Sequence, residues 1–134
     1  MTIHSFGMNY DEFCKLVMNT DSTIRFAAIT DESGETLYGG MRPGLRSHFD
    51  AQETRTSLMQ AITRMNSRLT LMRKIGRVKY TLTEYEKVKR ITIPINTNHL
   101  LFVSTDVGAD HNKIIEKIIE LKENKINEEF NGWT

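Results

Sequence analysis

The chain has one cysteine, two prolines and no excess of one charge; its 134 residues carry a net charge of only +1. With Cys14 alone, no disulfide can form within the chain, a usage that suits a reducing compartment. No apolar run approaches the ~20 residues that a bilayer crossing needs. Met1 to Gly7 is too short and too polar for a secretory leader. A cytoplasmic protein with no membrane contact is therefore expected. Internal repeats and low-complexity stretches are missing, so one domain with one real core is expected. Ser, Cys and His show no nucleophile spacing. Gly39-Gly40-Met41-Arg42-Pro43-Gly44 lacks the lysine and full spacing of a phosphate-binding loop, although Arg42, Arg46 and His48 lie near it. No enzyme and no cofactor are expected.

The longest helical pattern runs from Asp50 to about Ile75 and organises the rest. Leu58, Ile62, Met65, Leu69 and Met72 recur at steps of four and three, which places them on one face. Asp50 and Glu53 have capping-box spacing, and Gly76 follows the last apolar position. Such a helix is roughly 39 Å long. A domain of this size is only about 35 Å across, so the helix is expected to span the domain and anchor a sheet. Ser57, Ala61, Arg64, Arg68, Leu71 and Ile75 line a neighbouring face. That face suits a second chain; the alternative is a wide core stripe with snorkelling arginines.

Before it, Asn9 to Thr20 reads as a short helix with Phe13, Leu16 and Val17 inward, and Cys14 as a small core residue. Thr23–Thr30 and Glu35–Gly40 form a hairpin across Asp31-Glu32-Ser33-Gly34. After the long helix, Arg77–Glu84 alternates as a half-exposed strand. Lys87–Ile95 is the next strand, with a bulge or strand end near Arg90 where its apolar parity shifts and Pro94 at its end. His99–Thr105 is a strand covered on both faces. Asp110 caps a closing helix carrying Ile114, Ile115, Ile118, Ile119 and Leu121. Residues 1–8 read as an extension, 9–123 as the domain and 124–134 as a tail with Phe130 and Trp133.

Charge is distributed unevenly. Residues 54–90 carry ten basic and two acidic side chains, while both flanks are acidic. Arg73, Lys74, Arg77, Lys87, Lys89 and Arg90 form a candidate basic patch, with Arg64, Arg68 and Lys79 close in sequence. Near-neutral total charge and few interleaved aromatics make nucleic acid an unfavoured partner. His99, Asp106, Asp110 and His111 are the one compact acid and histidine group. They could hold a metal only if their loop folded back, and no metal site is expected from them.

Helix, two strands, long helix, three strands and helix, with the hairpin turn at Asp31-Glu32-Ser33-Gly34, resemble the roadblock/dynein light chain family, related to longin and profilin-like domains. The chain also resembles small archaeal proteins of this general shape, as an archaeal-type member of the family. The resemblance covers about residues 9–123. It implies an α+β sandwich: a five-stranded antiparallel sheet, the long helix on one face and the terminal helices on the other. It also implies a non-enzymatic homodimer or heterodimer that scaffolds complexes or regulates a small GTPase. The expected homodimer interface comprises Ser57, Ala61, Arg64, Arg68, Leu71, Ile75, Lys79 and Thr81. A PAS-like ligand sensor, with the seven methionines and Tyr38, Tyr80 and Tyr85 lining a pocket, is the main alternative. A nucleic-acid-binding protein is the next.

Overall fold

A computed structural model describes residues 9–131, with side chains to residue 125. The chain begins with helix α1 (Tyr10–Met18), whose Asn9 side chain accepts the Glu12 N–H at 3.0 Å. Asp21 then forms a tight turn into strand β1 (Ile24–Thr30). The Thr23 hydroxyl and N–H donate to the Asp21 carboxylate at 2.6 and 2.9 Å, and they hold that carboxyl below its usual range. Strand β2 (Thr36–Met41) returns antiparallel. The turn between them is built by Asp31, whose Oδ1 accepts from the Ser33 hydroxyl, the Ser33 N–H and the Glu35 N–H. Gly39 sits in β2 at φ +85°, where a Cβ would run into the Ala27 carbonyl oxygen.

Helix α2 (Ala51–Ser67) opens with the capping box: Asp50 accepts the Glu53 N–H at 2.8 Å and Glu53 accepts the Asp50 N–H at 3.1 Å. The expected continuous helix to Ile75 is interrupted. The Ser67 hydroxyl donates to the Arg64 carbonyl at 2.6 Å, taking the acceptor that the Arg68 N–H would use. Arg68 N–H turns to the Met65 carbonyl at 3.1 Å, and a separate short helix α3 (Leu69–Ile75) follows. No residue of α3 is buried, so Leu69 and Met72 do not extend the core stripe of Leu58, Ile62 and Met65. Leu69 is 54% exposed.

Strand β3 (Thr81–Glu84) is shorter than the alternation from Arg77 implied; residues 77–80 have no strand pairing. Strand β4 (Val88–Pro94) pairs with β3 and with β5 (Leu100–Asp106) in unbroken register, so neither the bulge nor the strand end expected near Arg90 is found. The parity shift has another cause. Lys89 belongs to the inward row of Ile91 and Ile93, and Val88 faces the opposite side with Arg90. Helix α4 (His111–Asn131) starts at Asp110, which accepts the Lys113 N–H at 3.2 Å. Its backbone stays helical beyond Asn124, where the apolar pattern fades. Trp133 and residues 1–8 lie outside the described residues.

The sheet order is β2-β1-β5-β4-β3, and every neighbouring pair is antiparallel. One face packs on α1 and α4 through fourteen buried residues, among them Phe13, Val17, Ile29, Ile91, Leu101, Ile114 and Ile118. Cys14 lies in this core, and burial pushes its thiol up to about 11 despite a backbone hydrogen bond at Ile29. The other face meets α2 through a smaller cluster of Leu58, Ala61, Ile62 and Phe102, flanked by Phe26 and Leu100. This is the expected α+β sandwich, with α2 on one face and the terminal helices on the other.

Candidate functional site

Two features on the α2 side have no structural task that accounts for them. The first is an open apolar surface. Leu69, Leu71 and Ile75 of α3 are 54%, 57% and 81% exposed. Strand β3 beside them in sequence is an edge strand, with its outer backbone groups unpaired in the sheet among the described residues. Lys79 is exposed and Thr81 half-buried in the same region.

The second is a small polar cleft of about 80 Å³ between α2 and the β3–β4 edge. Alternation along the strands builds its floor. Thr83, Arg90 and Ser104 share one row across the sheet, and Thr81, Thr92 and Phe102 share the next. Arg64 and Arg68, one turn apart on the helix, supply its roof. Arg90 is half-buried and donates to the Ser57 hydroxyl. Among the described residues neither Arg64 nor Arg68 forms a salt bridge, and no carboxylate lines the cleft. Glu84, next along β3, instead approaches Lys89 at 3.8 Å.

These positions rearrange the sequence-based groups. Of the expected interface, Ser57 is tied to Arg90 and Ala61 is buried against its own sheet, while Arg64, Arg68 and Thr81 line the cleft. Leu71 and Ile75 remain outward. The expected basic patch is divided by the sheet. Arg73, Lys74, Arg77 and Lys87 are exposed, Arg90 enters the cleft, and Lys89 is buried on the far face. There the Lys89 ammonium donates to the Ala109 carbonyl at 2.8 Å and to His111 Nδ1 at 3.0 Å. Tyr85, Thr83 and Thr92 were missed as cleft residues. Strand parity relative to Arg90 was the signal that marks the two threonines.

His99, Asp106, Asp110 and His111 do not converge. His99 Nδ1 meets Asn96, Asp106 pairs with Arg25 at 3.3 Å, Asp110 caps α4 and His111 meets Lys89. Arg42 is no anion ligand either: its guanidinium donates to the backbone carbonyls of Ile24, Met18 and Asp21 at 2.7–2.8 Å. A second cleft of about 90 Å³ lies between Phe26, Phe49 and Leu58. Drug-sized ligands occupy roughly 300–1,000 Å³. A shallow depression of about 650 Å³ lies over Met59 and Gln60 on the outer side of α2. Tyr38, Tyr80 and Tyr85 are each more than 40% exposed, so they enclose no sensor chamber.

A five-stranded antiparallel sheet between α2 and the α1–α4 pair defines a roadblock/profilin-like fold. The roadblock/LC7 domain from Streptomyces avermitilis superposes with TM-score 0.64 at 11% identity, over 85% of this chain and 92% of that one. The gliding protein mglB from Thermus thermophilus gives TM-score 0.67 at 14% identity, over 87% of each chain. Profilin IA from Acanthamoeba castellanii gives TM-score 0.57 at 12% identity, over 90% and 98%. Identities this low establish a shared fold and nothing finer. No curated protein matches in sequence. The chain belongs to the family described as "Family of unknown function (DUF6659)", which matches residues 5–133.

Proposed function

We propose that the protein is a non-enzymatic, homodimeric interaction module working in the cytoplasm. The observation that carries this is α3: seven residues, none buried, with Leu69, Leu71 and Ile75 exposed, followed in sequence by the open edge strand β3. A two-fold axis along that edge would bring the same apolar face of each subunit together and cover both strands. Arg73, Lys74 and Lys79, all exposed, would surround the contact and keep other sheet edges away. One similar solved structure is described as "MglB with tetrameric arrangement", a likeness that supports this reading. Among the described residues no helix is long and apolar enough to cross a membrane.

A protein partner is the proposed ligand, and regulation of a small GTPase is the finer role that the roadblock resemblance suggests. Nucleic acid is disfavoured because the basic segment is split between the two sheet faces, with Lys89 withdrawn from solvent.

Light scattering at micromolar concentration tests the dimer. The wild type is expected to give twice the chain mass. Leu71→Asp is expected to give one chain mass with unchanged circular dichroism, since Leu71 touches no core of its own chain. A wild-type mass of one chain across that range removes the proposal.

A further inference from the structure

The cleft between α2 and the β3–β4 edge is lined by three arginines around a volume of about 80 Å³, one of them, Arg90, held by its hydrogen bond to Ser57. Like charges held together raise each other's energy, and the half-buried Arg68 and Arg90 are less screened than surface residues. Nothing in the core demands this. Leu58, Ala61 and Ile62 dock α2 on Phe102 without the arginines. Ordinary relief would be a carboxylate, yet the nearest one along β3, Glu84, is turned to Lys89. The hydroxyl-bearing side chains on the floor, Thr81, Thr83 and Thr92, are neutral and able to donate.

We propose that this cleft binds a small anion through a phosphoryl group, with Arg64, Arg68 and Arg90 as its ligands. Arginine forks match the oxygens of a phosphoryl group and hold them from several sides, whereas a single carboxylate presents only two. The size agrees: at about 80 Å³ the cleft is well below the roughly 300–1,000 Å³ of pockets that enclose drug-sized ligands, and suits a small group. It has no room for a nucleoside, so any larger substituent has to extend past Tyr85, which is 47% exposed at the rim. The site lies within one chain and does not rest on the dimer.

The test is titration of the full chain with inorganic phosphate, and separately with methyl phosphate, against chloride at constant ionic strength. Backbone amide shifts are followed by NMR. Saturable shifts confined to Thr81–Thr83, Arg90–Thr92 and the end of α2 are expected. Equal affinity for the two probes assigns the free or the ester-bound group alike to the cleft; preference for one names the source. Arg64→Gln and Arg68→Gln are each expected to weaken binding roughly tenfold, the loss of one charge-assisted hydrogen bond. Arg73→Gln, exposed on α3 and outside the cleft, is expected to leave it unchanged. No saturable shift, or an equal loss in Arg73→Gln, overturns the proposal. That includes the case in which the cleft takes only a partner's acidic side chain. Repeating the titration on Leu71→Asp separates the two proposals. Phosphate bound by a one-chain species keeps the site whatever becomes of the dimer, and a wild-type dimer without phosphate binding sinks the site alone.

Discussion

Cys14 shows how burial acts on a single group. Its thiol sits among Phe13, Val17 and Ile29, where a thiolate would lose its hydration, so its pKa rises from 9.0 to about 11. The folded chain then holds a proton that the unfolded chain releases between those values. The associated stability is complete below pH 9 and is lost as pH rises toward 11. Tyrosines and lysines titrate in the same range, so the informative quantity is a difference. Urea midpoints of wild type and Cys14→Ala are expected to converge as pH goes from 8.5 to 10.5. A gap that stays constant across that interval would mean that the thiol is not desolvated. Lys89 and His111 show another constraint at the same scale. An ammonium only donates, so His111 Nδ1 must accept and its proton sits on Nε2.

Among the elements, the break at Arg68 separates two residues that the helical period treats alike. Ile62 is 6% exposed and packs on Phe102, while Leu69 is 54% exposed. Ile62→Ala is expected to cost about 2–5 kcal/mol, and Leu69→Ala within about 0.5 kcal/mol in the isolated chain. Denaturant midpoints measured at a concentration too low for association decide it. An equal cost for both would restore the unbroken helix. Much of the rest was legible in the sequence, because its signals are local. Asp50 with Glu53, Asp31 with Ser33, and Asp110 all meet the backbone groups that their spacing implied. The break was hidden because Ser67 acts by a hydroxyl bond that competes with a backbone bond, and apolar periodicity does not register it. Lys89 was misplaced for a related reason. A polar residue in an inward row looks like a shifted register until its partners, Ala109 and His111, are brought over by α4. The arginine cleft was legible only in pieces, since Arg64, Arg68 and Arg90 meet through the fold and not through spacing.

Across the whole molecule, the two sheet faces are unequal. Among the described residues the core cluster under α1 and α4 holds fourteen buried residues, and the cluster joining α2 to the other face holds four, with Met65 and Ala28 buried outside both. Local opening follows buried apolar contact, so α2 is the element expected to detach first. In native-state hydrogen exchange its amides around Leu58–Met65 are expected to exchange on the order of tenfold faster than those at Ile114–Ile118. Equal protection would show that both layers open only with global unfolding. The position of β1 has a further consequence, for the order of events on the ribosome. Its central partner is β5: Ala27 faces Val103, and Ile29 faces Leu101. The N-terminal hairpin therefore emerges long before the strand that completes its sheet, and a lone hairpin is marginal in water. Ile24 to Thr30 must wait, unpaired on one side, while the middle of the chain is synthesised. During that interval β1 is a sticky apolar edge, and a nascent chain is the form of this protein most in need of a chaperone.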